Sequence, residues 1–293
     1  MQALNGMGVA MITPFTKKGN IDYLAMKNLI EFYVRSKVNY LVILGTTAET
    51  ATLTAAEKKE VTRQVVAYAK GRLPLVVGMG GNNTQALVEE IKAFDFSGFS
   101  AILSVCPYYN CPNQEGLFQH FSQVAQVSPL PVLLYNVPSR TGISIENDTV
   151  IRLAQTHSNI IGIKDARGEM LAGEALIKAT ADDFMVISGD DHKSLELIQK
   201  GGKGVISVIG GAVPLLFSEI ITLGLSGNGA KAAQLSERLI PLIDLIFEQG
   251  NPTGLKALMA HLELCENTLR LPLVQASAAL EKRIEQAYSA LIN

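Results

Sequence analysis

Ile160-Ile161-Gly162-Ile163-Lys164-Asp165-Ala166 is a short apolar run that ends on a single lysine before a polar loop. An Ile-rich run of this length, bounded by turn signals, reads as a strand buried on both faces, the pattern of a parallel sheet covered by helices. Lys164 then falls where the buried strand meets the loop. An apolar setting disfavours the charged form of a lysine, so its free amine becomes available as a nucleophile, which Schiff-base chemistry with a ketone requires. The ordinary alternative is a strand-end lysine whose stem is buried while its ammonium reaches water. The other strand ends decide between the two.

Strand–helix units extend from this run in both directions. Gly8–Thr13 is a strand stopped by Pro14, followed by a helix from Asp22 to Ser36 with Leu24, Leu29, Ile30 and Phe32 on its apolar face. Tyr40–Leu44 ends on Gly45-Thr46-Thr47-Ala48-Glu49, and Thr54 with Glu57 forms a capping box that opens a helix through Lys70. Leu75–Gly78 precedes a helix opened near Asn83 and Thr84, and Ala101–Val105 runs into Pro107-Tyr108-Tyr109-Asn110 before a helix over Gln114–Val127. Pro131–Asn136 leads into Val137-Pro138-Ser139-Arg140-Thr141-Gly142 and a helix over Glu146–Gln155. After the Lys164 strand comes a helix reaching Ala179, then Phe184–Ser188 ending on Gly189-Asp190-Asp191, a helix to Gln199, and Gly204–Val208 ending on Ile209-Gly210-Gly211-Ala212.

No two strands meet through a two-residue hairpin. Strands alternating with helices imply a parallel sheet, and eight such units imply an α/β fold of the closed (β/α)8, or TIM, barrel type. An open doubly wound sheet is the alternative, but no Gly-x-Gly-x-x-Gly follows the first strand. The barrel is complete by residue 224. Residues 225–293 are helical in pattern, with Ala230–Phe247, Gly254–Leu264 and Val274–Leu291 reading as a C-terminal helical domain packed on the barrel.

Composition narrows the function classes. The 293 residues carry a formal net charge of -2, 18% charged and 6% aromatic residues and no Trp, so there is no electrostatic footprint for nucleic acid. Met1–Gly6 lacks the pattern of a signal peptide, and the apolar stretch Leu239–Phe247 is interrupted by Pro241 and Asp244, so a cytoplasmic protein without a membrane partner is expected. Cys106, Cys111 and Cys265 form no C-x-x-C pair, and His120, His157, His192 and His261 are scattered, so neither a disulfide framework nor a metal site is expected. No cofactor is implied.

In a (β/α)8 barrel the C-terminal strand ends share one cavity, whatever their separation in sequence. This chain places Thr46, Thr47, Tyr108, Tyr109, Tyr135, Arg140, Lys164, Gly189 and Asp190 there. A lysine can form an imine, a tyrosine can move protons, and hydroxyls and backbone N–H groups can hold a carboxylate while an arginine clamps a second one. Together they imply carbon–carbon bond formation from a keto-acid enamine. Singly, each has an ordinary reading: Tyr135 a core tyrosine, Tyr108-Tyr109 an interface patch, Gly45-Thr46-Thr47 a plain turn, Arg140 a surface arginine.

These motifs resemble those of the pyruvate-dependent class I aldolases, most closely the dihydrodipicolinate synthase branch, from the first strand to Arg270-Leu271-Pro272. Gly45–Glu49 looks like the pyruvate-carboxylate loop, Tyr135–Gly142 like the synthase signature, and Gly162–Ala166 like the imine-lysine strand. The resemblance implies a Schiff base between Lys164 and pyruvate, a proton relay of Tyr135, Thr46 and Tyr109, and pyruvate-carboxylate binding by Thr47. It implies that Arg140 binds the carboxylate of aspartate 4-semialdehyde and that Gly189 and Ile206 line the pocket through backbone groups. Tyr109 would reach in from a neighbouring subunit, so a homodimer or homotetramer is implied, acting at the opening step of the diaminopimelate branch of lysine synthesis.

Ala48, Thr50 and Asp165 depart from the usual glycine, serine and glutamate of that family. A methyl group at position 48 is tolerated if its φ is negative. A regulatory lysine pocket at the subunit interface would involve Thr50, Ala51, Asn82 and Tyr108. There Ala86 stands in place of a glutamate, and Ala55 and Lys58 in place of histidines, so weak or absent lysine inhibition is expected. Three rivals remain: a lyase for keto-sugar acids on the same fold, a phosphate-binding barrel using Gly210-Gly211, and a non-enzymatic keto-acid or lysine sensor.

Overall fold

In the computed structural model β6 spans Ile160–Asp165 and is buried along its whole length. It pairs in parallel with β5 (Val132–Asn136) on one side and β7 (Met185–Ser188) on the other. With β1 (Gly6–Ala10), β2 (Tyr40–Ile43), β3 (Leu75–Gly78), β4 (Ala101–Val105) and β8 (Gly204–Ser207) these strands close a barrel in sequence order, β8 pairing back onto β1. The structure describes residues 4–292. Met1–Ala3, part of the start without a signal-peptide pattern, and Asn293 of the 225–293 segment lie outside the described residues.

The helices are α1 (Tyr23–Arg35), α2 (Ala55–Ala69), α3 (Thr84–Ala93), α4 (Gln114–Val127), α5 (Pro138–Thr141), α6 (Asn147–Thr156), α7 (Met170–Ala179), α8 (Ser194–Gln199) and α9 (Pro214–Leu225). Their starts follow local chemistry. Asp22 caps α1 through the Leu24 and Ala25 N–H groups, Thr54 and Glu57 close the capping box of α2, and Asn83 caps α3. On α1 the buried stripe is Met26, Leu29, Ile30 and Tyr33, a clean i, i+3, i+4, i+7 set, whereas Leu24 is 69% exposed and Phe32 only packs at the margin.

Two layers of core result. Side chains such as Tyr40, Val42, Leu103, Leu133, Met185 and Ile206 fill the barrel, while a larger cluster lies between strands and helices. Tyr40 fits inside the barrel because its register partner is Gly8, where a Cβ would collide with the Tyr40 ring.

β1 starts two residues before the expected strand and ends three before Thr13. Its limits are set by the staggered neighbours, Gly6 opposite Gly204 and Ala10 opposite Val42. Met11, Ile12 and Thr13 are buried by packing outside the strand, with the Thr13 hydroxyl donating to the Ala48 carbonyl. The turn α5 also lies outside the expected elements, although Pro138 at its first position and left-handed Gly142 after its last are ordinary helix boundaries.

α10 (Gly229–Glu248) runs through Pro241, α11 covers Thr253–His261 and α12 covers Ala278–Ile292. The expected division at 224/225 falls inside the last turn of α9. Leu239, Ile243, Leu255, Leu258 and Leu280 of the C-terminal helices belong to the same cluster as the barrel's outer layer. No helix among the described residues is long and apolar enough to cross a membrane.

Candidate active site at the mouth of the barrel

Strand register brings the central pair together. Tyr135 and Lys164 are direct partners across β5 and β6, and Lys164 Nζ lies 4.2 Å from the centroid of the Tyr135 ring. Both are buried, Lys164 at 6% exposure, so the amine is enclosed rather than carried out to bulk water. Gly189 follows β7, and its N–H donates to the Asp165 carbonyl at 2.8 Å. A Cβ there would stand 3.0 Å from Lys164 Cε, so the lysine side chain runs past a position that only glycine leaves open. Ile206, on β8, is buried in the barrel's inner cluster.

The strand end is fixed by a second buried pair. Asp165 accepts from Arg167 at 2.6 Å, both side chains being 7% exposed, and Arg167 also donates to Asn147. The shorter acid at 165 therefore has a full partner within its own loop.

Thr46–Ala48 form a 3-10 turn after β2. Thr46 is half-buried, Thr47 and Ala48 are buried, and the left-handed residue is Glu49, with φ 53, not Ala48. The methyl group of Ala48 thus meets no backbone conflict. Glu49 can hold that conformation because its carboxylate is claimed on both oxygens, by Lys256 Nζ at 2.6 Å and by the Arg270 N–H at 2.9 Å. Neither side chain of the Glu49–Lys256 pair is exposed to solvent. Lys256 also donates to the Thr268 carbonyl and lies over the Phe15 ring. Burial pushes its ammonium down, and Glu49 opposes that.

The remaining expected residues are more open. Arg140, in α5, is exposed and forms no ion pair among the described residues. Tyr109 is 91% exposed and adopts φ 76, so within a single chain it does not pack into the Lys164 pocket. Tyr108 is 41% exposed. Thr50 donates its hydroxyl proton to the Gly45 carbonyl, while Ala51 and Asn82 are exposed.

Gly210 and Gly211 lie in a 3-10 turn whose backbone donors are already engaged. The carboxylate of Asp191 accepts from Val208 and Ile209, Gly210 donates to Ser207 Oγ, and Gly211 to the Val208 carbonyl. A buried internal carboxylate, pushed up by its burial, takes the place a phosphate would need. Among the described residues no three His, Cys, Asp or Glu side chains are grouped as metal ligands.

His192 links the β7 loop to α10. Its Nε2 lies 2.7 Å from Asp244 and its Nδ1 3.5 Å from Asp190. The Asp190 hydrogen bond first, and Asp244 with it, raise the imidazole to about 9 against burial. Because the folded value exceeds the unfolded one, this contribution to stability is complete below the ordinary histidine range and is lost as pH rises through about 9. We expect His192→Asn to flatten the decline of Tm across that window; a wild-type Tm that does not fall there contradicts the assignment.

The structure brings the expected Lys164, Tyr135 and Gly189 together, and it adds buried contacts of Glu49, Asn251, Lys256 and Asp191 to which sequence reading gives no role. One signal was present: Lys256 interrupts the apolar run Leu255-Lys256-Ala257-Leu258-Met259, and a lysine there needs a buried partner.

A closed (β/α)8 barrel with a buried lysine set against a tyrosine at the ends of adjacent strands is the arrangement that a class I, Schiff-base aldolase requires. The sequence model of the dihydrodipicolinate synthetase family matches residues 3–291, and the chain belongs to that family. A protein of Flavobacterium psychrophilum named 4-hydroxy-tetrahydrodipicolinate synthase is 51% identical over 285 residues, covering 97% of each chain. The crystal structure of dihydrodipicolinate synthase from Aquifex aeolicus superimposes with a TM-score of 0.95 at 36% identity, covering 98% of this chain and 97% of that one. A monomeric dihydrodipicolinate synthase variant matches with a TM-score of 0.95 at 34% identity, over 99% of this chain and 97% of that one.

Proposed function

We infer that this chain is a 4-hydroxy-tetrahydrodipicolinate synthase, condensing pyruvate with L-aspartate 4-semialdehyde. The observation that carries the reading is the enclosed Lys164 amine against the Tyr135 ring. The Lys164 amine adds to the ketone carbon of pyruvate and water leaves, giving the imine. Loss of a methyl proton gives the enamine, whose carbon attacks the aldehyde of the acceptor and forms the new bond. Attack of the acceptor's own amine on the imine carbon then releases Lys164 and closes the ring. Tyr135, Thr46 and Tyr109 carry the protons, Thr47 holds the pyruvate carboxylate, and backbone groups at Gly189 and Ile206 complete the pocket. Arg140, exposed in α5 and without an ion pair among the described residues, clamps the second carboxylate, which a polyhydroxy aldehyde lacks.

The test compares acceptors. Pyruvate consumption with aspartate 4-semialdehyde, and no release of pyruvate from 2-keto-3-deoxy sugar acids, is the expected result. Pyruvate release from the sugar acids without use of the semialdehyde overturns it in favour of a keto-sugar-acid lyase.

A second subunit fits the exposed, left-handed Tyr109, which gains a role when it enters a partner's site. We expect a homodimer or a dimer of dimers in sedimentation; full activity in a preparation that sediments only as monomers contradicts this. A cytoplasmic location suits a soluble-substrate step and is tested by cell fractionation, recovery outside the cytoplasm being the contrary result.

Ala86 is exposed on α3, and Ala55 and Lys58 lie on α2. A lysine pocket drawing on Thr50, Ala51, Asn82 and Tyr108 then has no carboxylate at position 86 for the ligand's α-ammonium, and Lys58 adds like charge. Millimolar lysine should leave turnover nearly unchanged; complete inhibition at micromolar lysine contradicts this.

A further inference from the structure

Thr47 is reached from the far end of the chain. Asn251, in the segment between α10 and α11, donates from Nδ2 to Thr47 Oγ1 at 2.9 Å across 204 residues of sequence. Both side chains are buried, Thr47 at 2% and Asn251 at 8% exposure. The Thr47 hydroxyl gives its proton to no acceptor among the described residues, and Asn251 Oδ1 is a buried oxygen without a partner.

A threonine hydroxyl has one proton and two lone pairs. If the neighbouring side chain donates to the oxygen, the proton must go elsewhere. If that side chain accepts instead, the proton is consumed there and only lone pairs face the pocket. An anionic carboxylate can be bound only in the first case.

We propose that Asn251 is a positioning residue: its amide holds Thr47 Oγ1 as an acceptor so that the Thr47 proton is kept for the substrate carboxylate. This rests on the pyruvate reading of Thr47 given above. Asn251 is itself held in place. The Lys256 N–H donates to the Pro252 carbonyl, and Lys256 Nζ grips Glu49, two residues beyond Thr47. Gly254 lies against the backbone of Ile246, where a Cβ would collide, which keeps the segment close to α10. The C-terminal helices therefore set both the conformation of the carboxylate-binding turn, through Glu49, and the direction of its hydroxyl, through Asn251.

Asn251→Asp is close in shape but reverses the polarity: a carboxylate accepts the Thr47 proton and adds negative charge behind the turn. The readout is the pyruvate concentration that half-saturates borohydride-trapped adduct on Lys164, with Tm followed alongside. Asn251→Asp should raise that concentration by about tenfold or more, the scale of one lost charge-assisted hydrogen bond, with the adduct at saturating pyruvate nearly unchanged. Its buried charge also lowers Tm, so the neutral Asn251→Ala carries the stability comparison. Asn251→Ala should raise it severalfold, and in a Thr47→Val background the same substitution should have little further effect, because the hydroxyl it acts through is gone.

An unchanged half-saturation in Asn251→Asp, or an Asn251→Ala effect that persists undiminished in Thr47→Val, overturns the proposal. A fall in Tm and maximal adduct with no change in half-saturation also overturns it, since that is the mark of a purely structural residue. If wild-type enzyme forms no adduct at all, the reading of Thr47 as a pyruvate ligand fails, an outcome distinct from these.

Discussion

Lys164→Ala should lower turnover on the order of 10⁵-fold, the scale seen when a covalent nucleophile is removed from an enzyme. The size follows from the site. Lys164 is the lysine that the fold encloses against Tyr135 at the mouth of the barrel. In the proposed mechanism its amine is consumed in the first bond formed, so no neighbouring group substitutes for it. The barrel should survive the change, because the apolar positions of β6 are untouched. Lys164→Arg should be equally inactive, since a guanidinium stays protonated and forms no imine. The check is steady-state pyruvate consumption alongside Tm; Lys164→Ala retaining more than about a hundredth of wild-type turnover would place the chemistry elsewhere.

Lys256→Met is the second large effect, and it acts on stability. The substitution roughly preserves length but leaves the Glu49 carboxylate buried with only the Arg270 N–H as a partner. Breaking a buried pair by removing one member costs about 3–5 kcal/mol, which for a chain of this size lowers Tm on the order of 10 °C. The loss should reach the site too, since Glu49 closes the turn that carries Thr46 and Thr47. Adding Glu49→Gln to Lys256→Met removes the unpaired charge and should recover part of the Tm. Thermal unfolding of the two single variants and the double variant measures this coupling. A Lys256→Met protein as stable as wild type would show that the pair contributes nothing.

The parts of the fold legible in the sequence are those governed by local chemistry. β3, β4 and α4 lie over the residues expected, and the caps at Asp22, Thr54 and Asn83 mark helix starts because each oxygen serves an N–H two or three residues on. β1 was displaced because burial extends to Thr13 although pairing stops at Ala10, and only the register of β2 and β8 separates the two. That Lys164, Tyr135 and Gly189 lie close together was legible because the barrel gathers strand ends by rule. Asn251 and Lys256 were not assigned roles, since their partners Thr47 and Glu49 lie 204 and 207 residues away. Tyr109 shows a different limit: the single chain leaves it exposed, and the role proposed for it needs a second chain, which no pattern in one sequence displays.

The most direct measurement is reduction of the enzyme with borohydride in the presence of pyruvate, followed by digestion and mass mapping of every lysine-containing peptide. The predicted result is one reduced pyruvate adduct, on Lys164, that disappears in Lys164→Ala. An adduct on another lysine, or none when pyruvate is being consumed, would contradict the imine mechanism.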